Sequence, residues 1–74
     1  MNIQELAKLN PNAANLWKEL CAYHAEDEFQ SEQNAANSYF TMLPDGVIVG
    51  DGAQEYTTFA YQNGNWHSLE DDDG

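Results

Sequence analysis

The pattern of apolar and polar residues predicts helices in the first third of the chain. Three apolar residues spaced three positions apart indicate a short helix over residues 1–10. This helix is expected to end at Asn10, because proline disfavours a helical conformation in the residue before it. The same Asn10 can cap a second helix, with Pro11 at the first helical position, where its missing N–H costs nothing.

The second helix is predicted to run from Pro11 to about Ala25. Its apolar residues follow the i, i+3, i+4, i+7 pattern, so they form one stripe that is expected to face the core. The stripe consists of Ala13, Leu16, Trp17, Leu20, Cys21 and His24.

The segment after the second helix is less regular, because three consecutive acids, Glu26, Asp27 and Glu28, interrupt the helical pattern. Residues 26–37 fit two interpretations. Either the second helix continues with a changed apolar face, or a short separate helix begins near Ser31. The sequence leaves both open.

In the second half of the chain the pattern changes to a period of two, which indicates β-strands. Strands are predicted at residues 39–43, 47–49, 55–62 and 65–69. A proline–aspartate–glycine turn at residues 44–46 joins the first two strands, and residues 50–52 are expected to form a loop. Asn63-Gly64 predicts a tight hairpin that places Tyr61 opposite Trp66.

These elements predict an α+β fold, with two or three N-terminal helices packed on one face of a three- or four-stranded antiparallel β-meander. Residues 1–69 are expected to form a single small domain, and residues 70–74 a frayed acidic tail. A chain of 74 residues is too short for a dinucleotide-binding fold or a TIM barrel.

Charge is the dominant property of this sequence. The chain has 13 Asp and Glu against 2 Lys and Arg, which gives a formal net charge of −11. Both lysines precede Glu19, and every acid except Glu5 lies from Glu19 onward. Like charges destabilise a compact state by self-repulsion, so fold stability does not account for this bias.

The charge also restricts the partners and the compartment. An acidic chain repels DNA, RNA and anionic lipids, so we expect no direct binding to nucleic acid or membranes. Two bodies of this charge also repel each other, so we expect a monomer rather than a dimer. The N-terminus has no signal-peptide pattern and Cys21 is the only cysteine, which favours the cytoplasm.

Few residues fit catalytic or metal chemistry. Cys21 and His24, with Asp27 or Glu28 one turn further, have the spacing of a one-sided metal site, although both also fit the apolar stripe. A reactive cysteine needs an electropositive setting, which this chain does not offer. Phosphate-loop and hydrolase motifs are absent from the sequence. We therefore expect no enzyme, no catalytic residue, no metal and no cofactor.

The acidic surface is the predicted functional site. A compact chain of this length is about 30 Å across, and 30 Å of duplex DNA carries about 18 charges, roughly half of them facing a bound protein. The acids of this chain are of the same order. They can therefore occupy the basic groove of a nucleic-acid-binding protein, with carboxylates in place of phosphates. The predicted partner-binding residues are Glu26, Asp27, Glu28, Glu32, Asp45, Asp51 and Glu55.

Charge alone gives little specificity, so exposed aromatic side chains are expected to act as anchors. Tyr23, Tyr39 and Tyr56 are the candidates. We expect at least two of them to pack in the core instead, which leaves one or none for a partner.

In its small size, its near-absence of Lys and Arg, and its acids spread over an α+β body, such as Glu26, Asp27, Glu28 and Asp51, the chain resembles phage-encoded DNA-mimic proteins. These include anti-CRISPR, anti-restriction and DNA-glycosylase inhibitor proteins. The resemblance covers the character of the whole chain and involves no motif. It implies a stoichiometric inhibitor, and the short length favours an anti-CRISPR protein that acts on a Cas effector complex in the host cytoplasm.

Three other interpretations stay open. The chain fits an immunity protein or antitoxin that neutralises a basic toxin, because that role requires the same acidic surface. It also fits a salt-adapted acidic domain whose charges are only solvated. The third is a small metal-binding or enzymatic domain that uses Cys21, His24 and Asp27.

Overall fold

The computed structural model describes residues 1–54 and 56–69. Within them, three helices precede a four-stranded antiparallel sheet, which confirms the predicted α+β fold with its N-terminal helices and β-meander. The helices are α1 (Ile3–Leu9), α2 (Pro11–His24) and α3 (Glu28–Ala36). The strands are β1 (Tyr39–Met42), β2 (Ile48–Gln54), β3 (Thr57–Gln62) and β4 (Asn65–Ser68), side by side in that order. The predicted acidic tail at residues 70–74 lies outside the described residues.

Side-chain caps determine where the helices begin. Asn10 caps α2 as predicted, because its side-chain oxygen accepts a hydrogen bond from the backbone of the first helical turn at 3.1 Å. Asp27 caps α3 by accepting from the backbone N–H of Phe29 at 2.9 Å. Of the two interpretations of residues 26–37, the separate helix is therefore correct. It begins at Glu28 rather than near Ser31, because the cap lies further upstream.

The β3–β4 hairpin has the predicted register, with Tyr61 opposite Trp66. Asn63 and Gly64 connect the strands with φ angles of 54° and 83°. Two consecutive positive φ angles are typical of a type I′ turn, whose twist matches that of the strands it joins.

The prediction of a loop at residues 50–52 is wrong, because β2 continues through them to Gln54. A Cβ on Gly50 would lie 2.7 Å from the ring of Phe40 on the neighbouring strand. This glycine therefore permits close packing within the sheet and does not form a turn.

The third strand is shorter than the predicted range of residues 55–62, since β3 begins at Thr57. Tyr56 has a φ of 65°, so its backbone is left-handed and cannot continue a strand. The ladder between β2 and β3 also shifts register between Asp51 and Gln54. Gln54 still pairs with Thr57 beyond this shift, so Tyr56 lies at the end of the β2–β3 ladder.

Trp17 lies at the centre of the core between the helices and the sheet. Its buried ring contacts those of Phe40 and Phe59 edge-on, at centroid distances of 4.9 and 5.9 Å, and that of Trp66 at 4.7 Å. Its indole N–H donates to the Ser38 hydroxyl at 2.9 Å, so the one polar atom of the ring is satisfied.

The predicted apolar stripe of α2 faces the core except at its end. Ala13, Trp17 and Cys21 are buried, whereas His24 is exposed, which corrects the expectation for that residue. His24 is the last residue of α2, and its ring lies 5.0 Å from that of Tyr23 at the rim of the core.

The molecule is a thin slab with extents of 36 × 34 × 17 Å. The N-terminus closes one edge of the sheet, because the Met1 ammonium donates to the Phe40 carbonyl at 2.6 Å and the Phe40 N–H donates to the Met1 carbonyl at 2.9 Å. In the part of the chain that the structure describes, no helix combines the length and the apolar character needed to cross a membrane.

Candidate protein-binding surface

Every Asp and Glu among the described residues has an exposed side chain. The set includes six of the seven predicted partner-binding residues, and Glu55 lies outside the described residues. All of the described carboxylates are therefore accessible to a partner.

Three of these acids are consecutive in the chain at the junction of α2 and α3, and two exposed aromatic residues flank them in sequence. We call residues 23–29 the acidic corner. Glu26, Asp27 and Glu28 lie between Tyr23, which is 83% exposed, and Phe29, which is 67% exposed. Carboxylates beside accessible rings can pair with cations and stack on them.

The sequence analysis did not identify Phe29 as an exposed anchor. α3 buries Ser31 and Ala35, which are four residues apart and define its inward face. Phe29 precedes Ser31 by two residues and so lies on the opposite side of the helix. The spacing of Phe29 from Ser31 and Ala35 could have predicted that Phe29 is exposed. That prediction requires knowing that α3 begins at Glu28.

Two of the predicted acids have a structural role as well. The carboxylate of Asp27 caps α3, and that of Asp45 accepts a hydrogen bond from the Val47 N–H at 3.0 Å within the β1–β2 turn. Glu32 lines a groove that Lys18 also lines. The carboxylates of Glu26, Glu28 and Asp51 take part in no hydrogen bond between described residues, although the backbone of Asp51 pairs with both neighbouring strands.

Asp45 and Asp51 lie at opposite ends of the β1–β2 hairpin. Asp51 is opposite Tyr39, the first residue of β1, whereas Asp45 lies in the turn that follows Met42, its last residue. The predicted residues therefore do not form one patch. The acidic corner is one group and Asp45 stands apart from it.

Asp51 belongs to an open groove next to the acidic corner. This groove has a volume of about 720 Å³ and lies between the end of α2, α3 and the β2–β3 connection. Its polar lining includes His24, Asn34, Asp51, Gln54 and Tyr56. Since His24 is part of the acidic corner, the corner and the groove form one continuous surface.

All three candidate tyrosines are exposed, which corrects the expectation that at least two pack in the core. Tyr39 is 75% exposed and Tyr56 is 90% exposed, and Tyr23 lies in the acidic corner. The core beneath the sheet is built around Trp17 instead, with Trp66 packed against it.

Cys21 and His24 do not form the metal or nucleophile pair that their spacing suggested. Cys21 is buried, whereas His24 and Asp27 are exposed. Burial raises the pKa of the Cys21 thiol to about 11, which disfavours the reactive thiolate. Among residues 1–54 and 56–69, no group of three His, Cys, Asp or Glu side chains is placed to hold a metal ion.

The acidic corner and the groove present carboxylates, amides and aromatic rings to solvent on one side of the molecule. Such a surface is suited to a partner that carries basic side chains. No known protein family, no curated protein and no solved structure matches the chain.

Proposed function

We propose that this protein is a stoichiometric inhibitor that occupies the nucleic-acid-binding groove of a basic protein. The observation that carries the proposal is the acidic corner, where three consecutive exposed acids are flanked along the chain by the exposed rings of Tyr23 and Phe29. A solvated acidic face does not require large apolar side chains in water. Their presence beside the charges favours recognition of a partner.

The dimensions of the molecule support mimicry of nucleic acid. Along its 36 Å length, duplex DNA would carry roughly 21 charges, about half of them facing a bound protein. The formal net charge of the chain is −11. Counted over the whole body, this is about half the charge of the same length of duplex, so a basic groove can exchange its phosphate contacts for carboxylate contacts at about half the density.

The partner is a protein whose Lys and Arg side chains bind DNA or RNA. Given the resemblance to phage-encoded inhibitors, a Cas effector complex is the first target to test, which would make the chain an anti-CRISPR protein. Long-range attraction would speed association, and the aromatic rings would slow dissociation.

The proposal can be tested by capture and competition. The immobilised protein is exposed to purified Cas effector complexes and to host lysate at low salt, and bound proteins are eluted with excess duplex DNA. We expect DNA to release nucleic-acid-binding proteins. A partner that DNA cannot displace would indicate an immunity protein or antitoxin, and the absence of any partner would indicate a merely solvated surface.

A pair of charge reversals then identifies the surface used. Glu26→Lys and Glu19→Lys both change an exposed acid and the net charge by the same amount, so long-range attraction falls equally. Only Glu26 belongs to the acidic corner. We expect Glu26→Lys to weaken binding about tenfold more than Glu19→Lys, by surface plasmon resonance at about 0.15 M salt. Equal losses would show that net charge, rather than this corner, determines binding.

A further inference from the structure

We propose that the sheet face turned away from the helices docks on an apolar patch of the partner protein that carries one basic side chain. This inference rests on the proposed function, because the patch belongs to the basic protein that is inhibited. It adds a contact that distinguishes one basic protein from another, which charge alone does not do.

Within the described residues, the helices cover only one face of the sheet. Phe40 and Phe59 point from their strands toward Trp17 in the core, and a Cβ on Gly50 would point there as well. Side chains alternate between the two faces along a strand, so the residues next to these three point the other way. The slab is 17 Å thick, which fits one sheet and one layer of helices. The second face of the sheet is therefore open to solvent.

Two rows of side chains cross this second face, and the strand register identifies their members. The first row consists of Tyr39, Asp51, Thr58 and Leu69. The second row, which completes what we call the open face, consists of Thr41, Val49, Ala60 and His67. Half of these residues are apolar and only Asp51 is acidic, in a chain with 13 acids. A sheet face in water usually carries polar side chains, so this composition indicates a contact with another protein.

Asp51 lies between two exposed apolar side chains in the first row. Tyr39, which is 75% exposed, is its neighbour on β1, and Leu69, which is 53% exposed, lies two strands away. In the second row, Ala60 is only 3% exposed, so its small side chain is closed in by its neighbours. The open face can therefore contact apolar side chains of a partner on both sides of one carboxylate.

The carboxylate of Asp51 determines the charge that a partner must present. It takes part in no hydrogen bond between described residues, so it is available to a partner. Once apolar groups cover the open face, an unpaired carboxylate would strongly weaken binding, whereas a carboxylate paired with a cation is tolerated. A basic side chain at this point can also contact the ring of Tyr39, the direct cross-strand neighbour of Asp51.

Two other occupants fit the open face less well. Four strands about 4.8 Å apart and about 20 Å long give it roughly 400 Å², about half of what each partner buries in a stable interface. A second copy would gain only this area and would bring two chains of net charge −11 together. Residues 70–74 of the chain itself are four acids and a glycine, which offer no apolar side chain and are repelled by Asp51. A basic partner gains the attraction of the other acids in addition to this area.

The open face is tested with short peptides, without the natural partner. The isotopically labelled protein is titrated with the capped peptide Leu-Ala-Arg-Ala-Leu at about 0.15 M salt, and the amide resonances are followed by NMR. The control peptides are Leu-Ala-Gln-Ala-Leu, which lacks the charge, and Gly-Ala-Arg-Ala-Gly, which lacks the large apolar side chains. We expect the first peptide to bind about tenfold more tightly than either control, with the largest shifts on the open face. A control that binds as tightly as the first peptide, or no saturable binding at all, would overturn the proposal.

Two substitutions of the same charge identify the carboxylate involved. Asp51→Asn is expected to reduce the affinity for Leu-Ala-Arg-Ala-Leu about tenfold. Asp45→Asn is the matched control, because asparagine keeps the acceptor for the Val47 N–H and Asp45 lies in the turn beyond the open face. Equal losses from the two variants would mean that only net charge matters and would overturn the proposal.

Two tyrosine substitutions identify the aromatic contact. Tyr39 and Tyr23 are both largely exposed, so neither Tyr39→Ser nor Tyr23→Ser should greatly change the thermal stability. Only Tyr39 belongs to the open face. We expect Tyr39→Ser to weaken binding of the first peptide about threefold and Tyr23→Ser to leave it unchanged. The reverse result would place the peptide at the acidic corner and would overturn the proposal.

The outcomes also distinguish this surface from the wider proposal. If the peptide binds elsewhere or not at all, while duplex DNA still releases captured nucleic-acid-binding proteins, the open face is wrong and the inhibitory function stands. If the peptide binds the open face but no such protein is captured, the inhibitory function is wrong and the docking surface stands.

Discussion

Trp17 shows how a single residue organises this small core. Its ring contacts three aromatic neighbours, and its N–H donates to Ser38 at the start of the sheet. Gly50 complements it, since a Cβ there would lie 2.7 Å from Phe40 and 3.0 Å from Trp17. A glycine inside a strand is normally unfavourable, and here the large rings above it require one.

At the residue scale, Cys21 predicts how stability depends on pH. Burial raises the pKa of its thiol from 9.0 to about 11, so the folded state holds the proton more tightly than the unfolded state. This contribution to stability is complete below pH 9 and is lost as the pH rises toward 11. The free energy of unfolding should fall by up to about 3 kcal/mol over that range, measured by urea denaturation.

The control for this prediction is Cys21→Ala. This variant has lower stability at pH 8, because it leaves a small cavity, but it should lose less stability between pH 9 and 11. All other ionisable groups are common to both proteins, so the difference between the two profiles isolates the thiol. An identical pH profile for the two proteins would show that the thiol does not cause the loss.

At the scale of elements, α3 depends on its cap. It has nine residues and buries only Ser31 and Ala35, so neither its length nor its packing holds it strongly. The hydrogen bond from the Phe29 N–H to Asp27 therefore matters more than it would in a long helix. The same carboxylate lies in the acidic corner, where it also contributes charge.

Two substitutions separate these roles of Asp27. Asp27→Ala removes both the cap and the charge, and it should lower the free energy of unfolding by about 1 kcal/mol. Asp27→Asn removes the charge but keeps a capping oxygen, so its stability should be near that of the parent protein. Chemical denaturation of the three proteins checks this, and equal destabilisation by both substitutions would contradict the capping role.

The elements show which features can be predicted from sequence. Asn10 and the Asn63-Gly64 turn act through neighbours in the chain, so their effects were predicted correctly. Gly50 acts through Phe40, ten positions away, and local pattern therefore misassigned it to a loop. The composition predicted that the surface is acidic. Which acidic residues lie near one another depends on which ends of helices and strands meet in the fold, and the local sequence does not contain that information.

At the scale of the whole molecule, shape and charge act together. The slab is 17 Å thick, about two screening lengths at physiological salt. At low salt, a charged partner is repelled or attracted by the charges of both faces together. At physiological salt, screening limits the interaction mainly to the charges of the face that the partner approaches. The wide, thin shape thus keeps the carboxylates close to solvent and to a partner.

Salt is predicted to act in opposite directions on folding and on binding. Raising NaCl from about 10 mM to about 500 mM screens self-repulsion and should increase the free energy of unfolding by about 1 kcal/mol. The same change should weaken partner binding, because it screens attraction. Chemical denaturation and binding titrations at matched salt check both signs.

The control is the variant Glu26→Gln/Glu28→Gln/Glu32→Gln, which removes three charges from exposed positions and keeps side chains of the same length. Its stability should depend less steeply on salt than that of the parent protein. A parent protein whose stability does not change with salt would show that self-repulsion is negligible.

The pairing of Trp17 with Trp66 has a consequence for spectroscopy. These are the only two tryptophans in the chain, and their rings lie 4.7 Å apart with planes at 68°. Indoles at this distance couple their electronic transitions, which produces paired circular-dichroism bands of opposite sign. One ring lies on α2 and the other on β4, so the paired bands report the docking of helices onto the sheet independently of helix content.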